Sequence, residues 1–60
     1  MPVVEICLWE GRDRDTKKRI VEGITDLFVK EGVPPQAVTV ILHDIKKENW
    51  ATAGKMSDEQ

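Results

Sequence analysis

The sequence predicts an α/β fold made of a single β-α-β unit, and three observations support this prediction. Residues 3–9 alternate in side-chain character, as a strand with one apolar face does. Residues 37–45 alternate in the same way and are rich in β-branched side chains. Between these segments, apolar residues recur at helical spacing. Strands joined by a helix of this length pair in parallel with a right-handed crossover, so the helix is expected to cover one face of the sheet.

The predicted helix begins near an aspartate and ends near a glycine. Asp13 or Asp15 can accept hydrogen bonds from the first free backbone N–H groups of the helix. The helix should end near Gly32, because glycine suits the left-handed position past a helix end and Pro34-Pro35 cannot continue the helix. The apolar stripe consists of Ile20, Val21, Ile24, Leu27 and Phe28.

A lone β-α-β unit leaves one face of its sheet without cover. The face expected to meet the helix carries Val4, Ile6, Leu8, Val38, Val40 and Leu42. The opposite face carries apolar side chains that one chain would leave in water: Val3, Cys7, Ile41 and Ile45. Both strands also have an open edge. Pairing across a two-fold axis and packing of bare faces from several copies would cover these surfaces.

The length of the chain points to self-association as well. We interpret residues 1–60 as one domain, and a domain of this size hides only about 60% of the surface that its unfolded chain exposes. The single cysteine, Cys7, cannot form a disulfide within the chain, and no Cys and His cluster has the spacing of a zinc site. We therefore predict an obligate homo-oligomer.

The distribution of charged and apolar residues argues against nucleic acid and membranes as partners. Nine basic and eleven acidic residues give a net charge of −2, and they form no basic stripe that could follow phosphates. The apolar runs are too short for a membrane span, and the first residues lack the layout of a secretory signal. We expect a cytoplasmic protein that binds neither nucleic acid nor membranes.

Common catalytic signatures are missing from the sequence. There is no glycine-rich phosphate loop, no metal-ligand spacing, and no Ser or Cys nucleophile with a suitable His and carboxylate. His43, the only histidine, has no evident partner in the sequence, so we do not place it in the site. The distinctive feature is the start, where Met1-Pro2 leads directly into a strand.

Four segments together resemble the 4-oxalocrotonate tautomerase family: Pro2 after Met1, Leu-Trp-Glu-Gly-Arg at 8–12, residues 34–42, and residues 48–54. Members of that family begin with proline once methionine is removed. They continue with a strand, Glu-Gly-Arg, a helix, a second strand and a short hairpin. The resemblance spans nearly the whole chain and implies a C-terminal hairpin, no cofactor or metal, and a hexamer arranged as a trimer of dimers.

The resemblance implies that Pro2 is the catalytic base. An N-terminal proline is a secondary amine, and the pKa of an α-amino group starts far below that of lysine. Partial burial and a nearby Arg12 would lower the pKa further toward neutrality, where a general base is most effective. The implied reaction interconverts the enol and keto forms of a small 2-hydroxy-dienoate or enolpyruvate-type acid. An acylated proline has no basicity, so we expect Met1 to be removed.

Two further residues match site positions of the family. Arg12 matches an arginine that binds a substrate carboxylate, a role that suits the two parallel N–H donors of guanidinium. A solvated arginine is the alternative, although a cation gains nothing from the positive end of a helix dipole. Trp50 matches an aromatic wall of the pocket, and it can also anchor a subunit interface. Trp9 is interpreted as packing.

Thr39 occupies the position where the best-studied family pattern has a second arginine, which acts on a neighbouring subunit's substrate. Threonine donates one neutral hydrogen bond but cannot pair with an anion. Arg14 or a lysine from a neighbour can replace the charge of the missing arginine, or the substrate can have one carboxylate.

Two other functions stay open: a non-catalytic oligomeric carboxylate-binding module, and a Pro2-dependent hydratase or decarboxylase.

Overall fold

A computed structural model describes residues 1–59, and its elements follow the predicted order. The regular elements are strand β1 (Val3–Trp9), helix α1 (Arg14–Lys30), strand β2 (Thr39–Ile45), and the short strands β3 (Ala51–Thr52) and β4 (Lys55–Met56). Three single-turn 3-10 helices cover Pro35–Ala37, Lys47–Asn49 and Ser57–Glu59.

Strands β1 and β2 form a parallel sheet in which Val3 lies opposite Thr39 and the last pair is Trp9 with Ile45. Strands β3 and β4 pair antiparallel as a hairpin. The two residues of its turn, Ala53 and Gly54, have φ angles of 55° and 76°. Positive angles at both positions match the twist of a tight hairpin. The predicted fold, with one helix, two parallel strands and a short C-terminal hairpin, is confirmed.

Helix α1 has the predicted signals at both ends. Asp13 is the N-cap, and its Oδ1 accepts a hydrogen bond from the Thr16 backbone N–H at 2.9 Å. Hydrogen bonding from Thr16, first through its side chain and then through its backbone, lowers the pKa of the Asp13 carboxyl. The helix ends at Lys30, and Gly32 has a φ of 94°, a conformation that favours glycine.

Strand β2 begins two residues later than predicted. The alternating pattern suggested a strand over 37–45, whereas the observed strand is Thr39–Ile45. The difference arises because Pro35–Ala37 forms a 3-10 turn. In this turn the Ala37 N–H donates to the Pro34 carbonyl at 2.9 Å, so it does not join the ladder with β1.

The two faces of the sheet differ in cover, as predicted. Along β1, the even-numbered residues 4, 6 and 8 are half-buried, whereas the odd-numbered residues are exposed. On the second face, Val3 is 48% exposed, Ile41 is 38% exposed, and Cys7 is exposed. One chain therefore leaves apolar side chains of this sheet face exposed to water.

Ile45 and His43 depart from the sequence interpretation. Ile45 is half-buried rather than fully exposed, because it lies opposite Trp9 at the end of the sheet where Trp9 contacts Trp50. His43 does have a partner, since its Nε2 lies 3.2 Å from Oε1 of Glu5. The parallel register brings these two residues together on the bare face, and the register could not be read from alternation alone.

One chain lacks a hydrophobic core. Among residues 1–59 no hydrophobic residue is buried, and the buried residue is Ser57. The Cα radius of gyration is 14.4 Å, whereas a compact domain of this length would have about 10 Å. One helix on a two-stranded sheet covers too small an area to enclose side chains fully.

Candidate active site

Pro2 and Thr39 lie together at the start of the parallel sheet. The backbone N–H of Thr39 donates to the carbonyl of Pro2 at 3.0 Å. Pro2 is half-buried, whereas Met1 is 87% exposed. The first strand thus fixes the backbone of Pro2 while leaving the residue before it in water.

Arg12 lies at the other end of β1. The chain turns after Trp9 through Gly11, whose φ of 113° favours glycine. The Arg12 Nη1 donates to the Trp9 carbonyl at 3.3 Å. This contact turns the guanidinium back toward the end of the sheet.

The length of β1 separates these two groups of predicted site residues. Val3–Trp9 has seven residues, and a strand rises about 3.3 Å per residue, so six steps span roughly 20 Å. Within one chain, Arg12 therefore does not lie beside Pro2.

Trp50 lies at the same end of the sheet as Arg12. Its ring centroid is 5.9 Å from that of Trp9, and the two ring planes meet at 74°, an edge-to-face contact. The Trp50 carbonyl accepts a hydrogen bond from the Ser57 N–H at 2.8 Å, and Ser57 is buried. The C-terminal segment therefore holds Trp50 against Trp9.

The sequence interpretation did not single out Lys47, although it belongs to this end of the sheet. Its Nζ lies 4.7 Å from the centroid of the Trp9 ring, within the range of a cation–π contact. The sequence signal that could have identified Lys47 is its position three residues before Trp50, in the turn after β2. Trp9, which we interpreted as packing, contacts Arg12, Lys47 and Trp50.

The charges at this end favour an anion. Among the carboxylates of residues 1–59, none lies within 4.0 Å of the Arg12 guanidinium or the Lys47 ammonium. Lys47 thus lies over the Trp9 ring, and Arg12 contacts the backbone of the same residue. The site is nevertheless open, because residues 1–59 of a single chain enclose no pocket.

Residues 1–59 contain no group of three or more His, Cys, Asp or Glu side chains that could hold a metal ion. Helix α1 is neither long nor apolar enough to cross a membrane, and the same holds for every other helix within these residues.

Comparison with known proteins establishes the family. A family model described as "Tautomerase enzyme" matches residues 2–60. A probable tautomerase of Ralstonia nicotianae is 43% identical over 61 residues, which cover 100% of this chain and 94% of the relative. The 2-hydroxymuconate tautomerase of Comamonas testosteroni is 40% identical over 60 residues, covering 98% of this chain and 95% of that protein.

Solved structures agree with this match. A structure of a 4-oxalocrotonate tautomerase isozyme from Methylibium petroleiphilum has a TM-score of 0.89 and 34% sequence identity, covering 95% of this chain and 94% of that one. The fold and the sequence together define an isomerase that interconverts tautomers. The chain belongs to the tautomerase family, as a member of the 4-oxalocrotonate tautomerase type.

Proposed function

We propose that this enzyme is a cofactor-independent tautomerase of a small 2-hydroxy-dienoate or enolpyruvate-type acid, with the amine of Pro2 as general base. The observation that supports it most directly is the half-buried Pro2 at the head of β1, tied to β2 by the Thr39 N–H. The strand gives the base a fixed position, which proton transfer requires. Met1 has to be removed, because only then is the proline nitrogen an amine.

The proposed reaction moves one proton and one set of double bonds. The Pro2 nitrogen takes the proton from the 2-hydroxyl of the substrate, and that oxygen becomes a carbonyl. The double bonds shift along the conjugated chain, and the protonated amine returns the proton to a carbon atom. Atoms and electrons balance without a co-reactant.

A complete site requires two copies of the chain in this proposal. Pro2 of one copy meets Arg12 and Trp50 of another, since β1 holds these groups at opposite ends of one protomer. Arg12 then binds a substrate carboxylate, and Trp50 excludes water from one side. Thr39, at the family position that acts on a neighbouring subunit's substrate, offers a neutral hydrogen bond.

The absence of buried hydrophobic residues within 1–59 supports self-association, because further copies supply the missing core. The resemblance to the 4-oxalocrotonate tautomerase family points to a hexamer arranged as a trimer of dimers. Burial of the bare face around Val3 and Ile41 would accompany that assembly.

The test is a rate measurement on protein whose intact mass shows that it starts at Pro2. Ketonisation of 2-hydroxymuconate and phenylenolpyruvate is followed by ultraviolet absorbance. Pro2→Ala should lower kcat about 100-fold or more, in line with the loss of a general base. Pro35→Ala is the matched control, because this exposed proline lies in the turn before β2 and should leave the rate unchanged.

Other results would contradict the proposal. A Pro2→Ala protein with the wild-type rate would exclude the proline base. A wild-type protein that binds these acids without converting them would favour a carboxylate-binding module, and conversion to a hydrated or decarboxylated product would favour the related reactions of the fold.

A further inference from the structure

Lys47 is a cation that has no role in the site proposed above. It lies at the same end of the sheet as Arg12. Its ammonium lies over the Trp9 ring at 4.7 Å, and the edge-to-face partner of that ring is Trp50. The backbone carbonyl of the same Trp9 accepts a hydrogen bond from Arg12. Both cations therefore contact one residue within a single chain.

A second cation is needed if the substrate has two anionic groups. Arg12 can pair with one carboxylate through two parallel hydrogen bonds, which leaves the other group for a second donor. The backbone N–H of Thr39 already bonds to the Pro2 carbonyl, and its hydroxyl can donate only a neutral hydrogen bond. An ammonium has three rotatable donors and a full charge, so it suits a carboxylate that approaches from different directions.

The surroundings of Lys47 distinguish it from its neighbour in the sequence. Lys46 lies 3.9 Å from the carboxylate of Glu48, so its charge is partly compensated. No carboxylate within residues 1–59 comes within 4.0 Å of the Lys47 Nζ. The Trp9 ring instead restricts the side chain on one side and leaves its N–H donors available to an anion.

We infer that Lys47 is a substrate-binding residue that pairs with a second anionic group and gives the enzyme a preference for dicarboxylates over monocarboxylates. This inference rests on the proposed tautomerase site, in which Arg12 and Trp50 contact the substrate. Lys47 would then supply the positive charge that Thr39 lacks.

The test measures binding, so that its outcome does not depend on turnover. Muconate and sorbate share a six-carbon diene chain and differ in having two carboxylates or one. Their dissociation constants are measured by calorimetry for the wild type and for Lys47→Gln, Lys47→Arg and Lys46→Gln. The removal of one charge-assisted hydrogen bond should weaken muconate binding about tenfold in Lys47→Gln and leave sorbate binding within about twofold.

The two control variants sharpen the result. Lys47→Arg should keep most of the affinity for muconate, because it retains the charge over the ring. Lys46→Gln should change neither affinity, since it removes an equal charge from the adjacent exposed position.

Two outcomes would overturn the inference, even where Pro2-dependent turnover is found. One is unchanged muconate binding in Lys47→Gln. The other is equal weakening of muconate and sorbate, which would mean that Lys47 only supports the Trp9 and Trp50 wall. Selective loss of muconate binding in a protein without turnover would support the inference while contradicting the proposed reaction.

Discussion

Pro2 and Arg12 lie at opposite ends of the same seven-residue strand, Val3–Trp9. A strand of that length spans roughly 20 Å from its first to its last residue. A small acid bound to the Arg12 of one chain therefore cannot reach the Pro2 of that chain. The finding makes the proposed site a property of two chains and leads to a direct test.

The first prediction is complementation between two inactive variants. Pro2→Ala and Arg12→Ala should each lose activity alone, the first through kcat and the second through KM. When equal amounts are unfolded together and refolded, random mixing should give about a quarter of the sites both intact residues. The recovered rate is measured against each variant refolded alone. If mixtures stay inactive while wild-type and Pro2→Ala chains do mix, the site lies within one chain.

The second prediction concerns the bare sheet face. Ile41→Glu places a second carboxylate opposite Glu5, on a face whose exposed apolar residues include Val3, which is 48% exposed in one chain. Burial of an unpaired charge is unfavourable, so the assembly should break into smaller species. Sedimentation velocity measures the change in mass. Gln36→Glu adds the same charge at an exposed turn residue, and its assembly should be unaltered. An Ile41→Glu protein of wild-type mass would place the interface elsewhere.

The third prediction concerns Trp50. Its edge-to-face contact with Trp9 is worth about 1 kcal/mol beyond the burial of its surface. Trp50→Ala should therefore lower the free energy of unfolding by about 2 kcal/mol, and Trp50→Phe by about half of that. Urea unfolding followed by circular dichroism, at one protein concentration, measures both changes. Equal stability of Trp50→Ala and the wild type would contradict the packing role.

The fourth prediction uses the cap of α1. The pKa of Asp13 is lowered in the folded chain by hydrogen bonds from Thr16, so the unfolded chain binds the proton more tightly. The resulting stabilisation is fully present above the unfolded pKa and is lost as the pH falls through the lowered folded value. Asp13→Ala should therefore destabilise the protein at neutral pH. It should also reduce the loss of unfolding free energy on acidification, whereas Asp15→Ala should show the same loss as the wild type. Identical acid profiles for wild type and Asp13→Ala would contradict the assignment.

Much of the fold could be predicted because its signals are local. The cap at Asp13 and the stop at Gly32 depend on a few neighbouring residues. The alternation in β1 likewise predicted which side chains would be covered. The start of β2 was missed because the turn at Pro35–Ala37 uses backbone hydrogen bonds that alternation does not report.

The candidate site was predictable only in part. The resemblance pointed to Pro2, Arg12, Thr39 and Trp50, whose roles remain proposals. The separation of Pro2 from Arg12 was implicit in the length of the first strand, yet it became clear only when the strand was placed in the sheet. Lys47 was not singled out because its contact with Trp9 joins residues that are far apart in sequence.

By itself, the sequence determined which segments form strands and helix, which strand faces are apolar, and the family of the enzyme. Periodicity, caps and turn residues act over a few positions, so a linear sequence records them. Only the tertiary structure decided the register of β1 and β2, the pairing of His43 with Glu5, and the grouping of Arg12, Lys47 and Trp50 around Trp9. Alternation fixes the face of a side chain, but a shift of two residues preserves that face, so packing between segments has to select the alignment.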